Sequence, residues 1–150
     1  MNEVGNVRTV AVPTFPKAEY MLVREEWEAA VAPNERTRAT YIEDNLLPVE
    51  ASGQLKLVDG ETKVTDEVTI VPTPGHSPGH CSYLHRESGL LITGDAIFNV
   101  LGLRWPIKAL CSNFAMTQQT AHRLAELDYT TAAFTHGPEI TDRPREAIRR

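Results

Sequence analysis

The chain lacks several features that would assign it to a class at once. It contains no apolar run approaching the roughly 20 residues that span a bilayer, and its start, MNEVGNVRTV, has neither the basic opening nor the apolar core of a secretory signal. A cytoplasmic protein without membrane contact is therefore expected. Cysteine is scarce: Cys81 and Cys111 are the only two, with no C-x-x-C spacing, which argues against a disulfide framework and against a thiolate zinc site. Both are expected to be free thiols. Basic residues are outnumbered, 15 Lys and Arg against 20 Asp and Glu, for a net charge of −5, so no nucleic-acid groove is expected. The one basic cluster, RPREAIRR at residues 143–150, reads as a frayed, solvated helix. No internal repeat or low-complexity stretch stands out.

What is present is enough for one core. With 150 residues, 41% of them hydrophobic, the chain reads as a single domain over residues 1–150. AEYMLV (18–23) has the short apolar and aromatic content of a strand, and REEWEAAVA (24–32) continues as a helix that Pro33 stops. A second helix is expected from Asn34 to about Leu47, ended by Pro48. The texture then changes. QLKLVDGETKV alternates apolar and polar residues about Asp59-Gly60, a two-residue hairpin signal. EVTIVP, CSYLHRESGLLITG with a turn at Glu87-Ser88-Gly89, and TAAFTHG read as further strands. Before the last of them, MTQQTAHRLAEL is a helix with Thr117 as candidate N-cap and with Ala121, Leu124 and Ala125 toward one face. Strands with interposed helices predict an α/β layered fold with a mixed sheet.

Three strand ends carry the chemistry. VTIVPTPGH ends at His76, LLITGD at Asp95, and AAFTHG contains His136. Each apolar strand runs into small residues and delivers a metal-competent side chain at its C-terminal end, where ligands in α/β sheets characteristically sit. Two imidazoles and a carboxylate form a nitrogen and oxygen set suited to zinc or iron rather than calcium or magnesium. A carboxylate can also bridge two ions. TPGHSPGH, residues 73–80, cannot be helical with Pro74, Gly75, Pro78 and Gly79 in it, so His76 and His80 share a tight loop. His80 is a fourth ligand or a supporting donor. Taken singly, each histidine reads as structural and Asp95 as a cap for the segment after it; His85 and His122 read as ordinary surface residues. Phe98, Leu101, Leu103 and Trp105 follow Asp95, with Phe98 and Trp105 as candidates for an apolar substrate pocket, although core packing is the favoured role for such residues.

TPGHSPGHCSYLHRESGLLITGD, with FTHG some forty residues on, resembles the second half of a metallo-β-lactamase-fold hydrolase, of the lactonase and glyoxalase II kind. The likeness extends from about residue 13 to residue 150, because FPKAEYMLVREEWEAA also resembles a segment of lactonase-like members. It implies an αβ/βα sandwich holding two metal ions, usually zinc, whose bound hydroxide attacks a small ester, lactone or thioester. By position, His76 would ligate one ion, Asp95 would bridge both and orient the attack, His136 would ligate the other, and His80 would support them. Iron is possible for the same donors. The family's H-x-H-x-D-H motif has no counterpart: no H-x-H occurs, His76 is the first histidine, and Asn2 and Glu3 stand where an aspartate and histidine would. Four of seven expected ligands are thus absent, which makes activity of the chain by itself uncertain and leaves Glu3 as a possible extra ligand. The alternative is a non-catalytic remnant or binding module that keeps the loop.

The domain is accordingly expected to lack the family's N-terminal half and, with it, the cover for one apolar sheet face. An uncovered face of that kind predicts a homodimer, a partner chain or marginal stability. Light scattering that returned a stable monomer would contradict it.

Overall fold

The computed structural model describes residues 11–149, so Glu3 lies outside the described residues. The elements run in the order β1 (Tyr20–Val23), α1 (Arg24–Val31), α2 (Glu43–Ala51), β2 (Leu55–Val58), β3 (Thr62–Lys63), β4 (Val68–Pro72), β5 (Cys81–His85), β6 (Leu90–Ile92), β7 (Phe98–Asn99), β8 (Leu103–Arg104), α3 (Phe114–Leu124), β9 (Thr131–Ala133) and α4 (Pro144–Arg149). The fold is mixed α/β. A five-stranded sheet, in the order β3-β4-β5-β6-β9, is antiparallel except for the parallel pair β6 and β9. β1 and β2 form a separate parallel pair, and β7 and β8 a short antiparallel one. None of the described helices is long and apolar enough to cross a membrane.

Strand alternation divides the residues of the larger sheet between two faces. Thr69, Leu84, Leu91 and Ala132 stand opposite one another across four strands and are all buried. Leu84, Leu91 and Ala132 meet Ala121, Leu124 and Ala125 at the end of α3 and Ile148 of α4 in the main core. The other face carries Ile70, Tyr83, Ile92 and Ala133. β1 and β2 cover this face at β4, where Val23 and Val58 close over Ile70, and at the start of β5, where Cys81 packs against them. Tyr83 and Ile92 remain 40% and 43% exposed.

The structure departs from sequence expectation at five places. Asp59-Gly60 makes a turn, with Gly60 at φ +67°, but not a hairpin: β2 pairs with β1, and β3 pairs with β4. Turn residues specify a reversal and not a partner; here burial of Val58 beside Val23 and Ile70 decides the partner, and the Arg24 guanidinium holds both Asp59 oxygens at 2.8 and 3.0 Å. The helix expected from Asn34 is a series of turns in which the Asn34 side chain accepts from the Arg36 and Thr37 amides, and α2 begins only at Glu43. Pro48 lies inside α2 rather than after it. Proline there removes one bond, to the Asp44 carbonyl, and a surface helix with no buried residue tolerates that loss. The cap of α3 is Asn113, whose Oδ1 accepts from the Met116 amide at 3.1 Å, while Thr117 lies within the helix and is fully buried. Finally, the C-terminal helix is not merely solvated, because Pro144 and Ile148 of α4 are buried and Ile148 joins the main core.

Adjacent residues of β6 offer a direct test of this division of faces. Leu91→Ala should cost about 2–5 kcal/mol and Ile92→Ala about 1 kcal/mol or less in urea denaturation. Equal costs would mean that the Ile92 face is covered in solution.

Candidate metal centre

Strand direction brings the three predicted ends together. β6 and β9 are parallel, and β4 runs the same way because β5, antiparallel to both β4 and β6, separates them. The C-terminal ends of β4, β6 and β9 therefore share one edge of the sheet. His76 follows β4, Asp95 sits in a 3₁₀ turn (Gly94–Ala96) after β6, and His136 follows β9. Asp95 is central. Its Oδ2 lies 3.3 Å from His76 Nε2 and its Oδ1 lies 3.5 Å from His136 Nε2. His76 and Asp95 are about a quarter exposed, and His136 is 52% exposed.

These spacings suit a shared ion on each side. Zinc bonds of about 2.0–2.1 Å at tetrahedral angles separate two donor atoms by about 3.4 Å. Neither approach is a hydrogen bond, and Asp95 Oδ1 is buried without a hydrogen-bond partner among the described residues. A buried, unpaired carboxylate oxygen costs free energy unless something positive meets it. The donor set and its geometry thus fit zinc or iron, with a different Asp95 oxygen available to each position. His76 Nδ1 is also buried and unpaired among the described residues.

His80 is held in a different way. The Asp95 amide, which can only donate, reaches His80 Nε2 at 2.9 Å, so the ring proton is on Nδ1. That proton is shared between Thr73 Oγ1 at 2.9 Å and the Thr73 carbonyl at 3.1 Å. Thr73 Oγ1 then donates to Ser82 Oγ at 3.1 Å, and Ser82 Oγ donates to the Thr93 carbonyl at 3.0 Å. Both ring nitrogens are occupied, which leaves His80 no lone pair for a metal. It supports the Asp95 turn instead.

Glycine is required twice in the loop. Gly75 has φ +132° and lies so close to Thr117 of α3 that a Cβ would collide with its backbone; Gly79 lies equally close to the first turn of α1. The carbonyls of Pro74, Gly75 and His76 accept from the Thr120 hydroxyl, the Asn113 amide and the Ser112 amide, respectively. His136 is fixed from β7, where the Asn99 amide donates to its carbonyl at 2.7 Å and the Phe98 ring meets its imidazole edge-on at 4.4 Å between centroids. Trp105 lies elsewhere. It packs against the main core and against His122, in a cavity of about 150 Å³ whose walls include Leu103 and Ile148 but none of His76, Asp95 or His136. Sequence reasoning passed over Thr73, Ser82, Thr93 and Glu26, whose Oε2 accepts from the Gly79 amide at 2.9 Å. Only the position of Thr73 and Thr93 just beyond strand ends hinted at two of them.

A second group, Glu67, His85 and Glu87, has ligand atoms within 4.8 Å of one another on the β5-β6 hairpin side. There His85 Nδ1 accepts from the Ser88 amide and Nε2 donates to Glu67 at 3.1 Å, which already satisfies the ring.

Burial is the main cause that pushes the His80 pKa below its ordinary 6.5, with His76 adding to it and the bond to the Thr73 carbonyl opposing it. The unfolded imidazole then takes up its proton at higher pH than the folded one. Stability present above about pH 6.5 should therefore fall as pH drops toward the folded value, by at most about 1.4 kcal/mol per pH unit from this group. Urea denaturation of the chelator-treated protein between about pH 7.5 and about pH 5 should show that loss, with a flatter profile in His80→Gln. Superimposable profiles would remove His80 as the cause.

Comparison with known proteins adds the family. A profile described as metallo-beta-lactamase superfamily matches residues 11–136. An N-acyl homoserine lactonase of Bacillus cereus is 36% identical over 56% of this chain and 32% of its own length, and the lactonase AttM of Agrobacterium fabrum is 31% identical over 79% and 47%. The chain thus spans about a third to a half of these two relatives. Among solved structures, an N-acyl homoserine lactone hydrolase with the product N-hexanoyl-L-homoserine bound at its catalytic metal center superposes with a TM-score of 0.54 at 27% identity, over 71% of this chain and 40% of that one. A probable metal-dependent hydrolase of Staphylococcus aureus shares the fold at a TM-score of 0.62 and 21% identity, over 75% and 41%. With the profile covering most of its length, the chain belongs to the metallo-beta-lactamase superfamily.

Proposed function

We propose that the chain carries part of a metal-dependent hydrolase site acting on a small lactone, ester or thioester. His76 and Asp95 would hold one ion, and Asp95 and His136 a second. The observation that supports this most is the carboxylate of Asp95, which offers one oxygen to each histidine at 3.3 and 3.5 Å and has one of them otherwise unpaired among the described residues. Zinc or iron suits the donors, and when bound it supplies Lewis acidity for the substrate carbonyl and for water. The substrate class comes from two lactonase relatives, so an N-acyl homoserine lactone is the first compound to try.

The chain's own residues do the positioning. Asp95 is oriented through its backbone by His80, so its carboxylate stands ready before any ligand arrives. Phe98 covers one side of the His136 ring and limits its rotation. Among the described residues each metal position has two donors, one fewer than the three of a catalytic zinc site. Glu3 is proposed as a further carboxylate on the His136 side.

A second reading, a binding module without catalysis, is favoured by that donor number and by the absence of any H-x-H in the sequence. Elemental analysis of the purified chain beside a His76→Ala, His136→Ala double variant separates the two. The hydrolase reading expects zinc or iron in the parent and its loss in the variant, together with lactone hydrolysis that Asp95→Ala reduces to background. Metal at background level in the parent would favour the binding module, and turnover unchanged in Asp95→Ala would take Asp95 out of the mechanism.

A further inference from the structure

Glu26 is the third residue of α1, half-buried, and far in sequence from His76, Asp95 and His136. An acidic side chain in a first helical turn has an ordinary explanation, since it meets the positive end of the helix dipole. Glu25, exposed beside it, already fills that role. Both oxygens of Glu26 are instead committed outside the helix. Oε2 accepts from the Gly79 amide at 2.9 Å and Oε1 accepts from the Tyr41 hydroxyl at 2.7 Å.

The Gly79 bond closes a gap in the loop's support. The α3 side of the loop holds Pro74, Gly75 and His76 through their carbonyls. Nothing on that side reaches Gly79, and among the described residues its amide is paired with Glu26 alone. Contact between the two is close as well as polar, because a Cβ on Gly79 would come within 2.6 Å of the Glu26 Cβ. A carboxylate accepting from an amide is about twice as strong as a neutral pair, and this one adjoins His80, whose Nε2 accepts from the Asp95 amide. Tyr41 keeps its proton at neutral pH, because burial first and the bond to Glu26 second raise its pKa.

We propose that Glu26 is a positioning residue for the metal centre: through Gly79 it fixes His80, through His80 the turn that carries Asp95, and Tyr41 fixes Glu26 in turn. This rests on the metal reading of the site given above. The metal-free protein nevertheless carries its own signature of the arrangement, in the Gly79 amide and in the His80 ring nitrogens.

The test uses the whole chain as wild type, Glu26→Ala, Glu26→Gln and Tyr41→Phe. Without metal, amide exchange at Gly79 and the nitrogen shifts of His80 are read by NMR. With metal, the zinc dissociation constant is read by competition with a chromophoric chelator. In Glu26→Ala, Gly79 exchange should quicken by about tenfold or more, the His80 shifts should move toward a mixture of tautomers, and zinc should bind about 10- to 100-fold more weakly. Glutamine keeps an acceptor for Gly79 and a donor for Tyr41, so Glu26→Gln should restore zinc binding to within about threefold of wild type. Tyr41→Phe should fall between the two, and it preserves a readout if the alanine variant does not fold.

Unchanged Gly79 exchange and His80 shifts in Glu26→Ala would overturn the proposal, as would changed signals with unchanged zinc affinity. Failure of the wild type to bind zinc would overturn the metal reading instead. The metal-free signals would then decide by themselves whether Glu26 holds the loop.

Discussion

Everything at the sheet edge hangs on a run of hydrogen bonds whose donors all point one way. The Asp95 amide gives to His80, His80 to Thr73, Thr73 to Ser82, and Ser82 to the Thr93 carbonyl, two residues before Asp95. The run ties the ends of β4 and β6 together across the start of β5. Thr73, Ser82 and Thr93 are each at most 1% exposed, so no water competes for these hydroxyls. In that setting aligned hydrogen bonds polarise one another, and a missing member would leave a buried polar group unpaired. A charged His80 would also break the run, because Nε2 would then carry a proton against the Asp95 amide. Neutral imidazole is thus a structural requirement.

The loop bearing His76 and His80 is gripped from two directions by elements from different parts of the sequence. On one flank α3 and the residues before it take its carbonyls; on the other, α1 takes the Gly79 amide. Glycine at positions 75 and 79 is what lets both helices approach. The proline and glycine content of TPGHSPGH therefore serves close packing as much as chain reversal.

The sequence made the strand ends legible because each combined a short apolar run with a small residue and a chemically conspicuous side chain: His76, Asp95 and His136 could be named without coordinates. The helix of residues 114–124 was legible from its apolar spacing. Its cap was not, since Thr117 and Asn113 are both acceptable capping residues and only the packing of Thr117 against Gly75 distinguishes them. The Asp59-Gly60 hairpin failed for a related reason: local turn chemistry carries no information about which strand a distant apolar residue such as Ile70 will attract. Glu26 was invisible for the same cause, its partners lying 15 and 53 residues away. Trp105 shows the converse, since an aromatic residue near a metal motif in sequence lies against His122 and the core in space.

The parallel pairing of β6 with β9 has a consequence in time. His76 and Asp95 belong to an antiparallel meander of neighbouring strands, which needs only short reversals to form. His136 joins them through a crossover that contains α3, and parallel strands cannot pair until such a crossover has closed. Chain entropy alone separates the two steps little, since doubling a loop costs about 0.6 kcal/mol. Pairing between near neighbours in sequence nevertheless forms more readily than pairing between distant segments, which favours the meander first in a folding sequence and the His136 strand last. A nascent chain would then hold a nearly finished His76 and Asp95 pair while its third arm was still unattached.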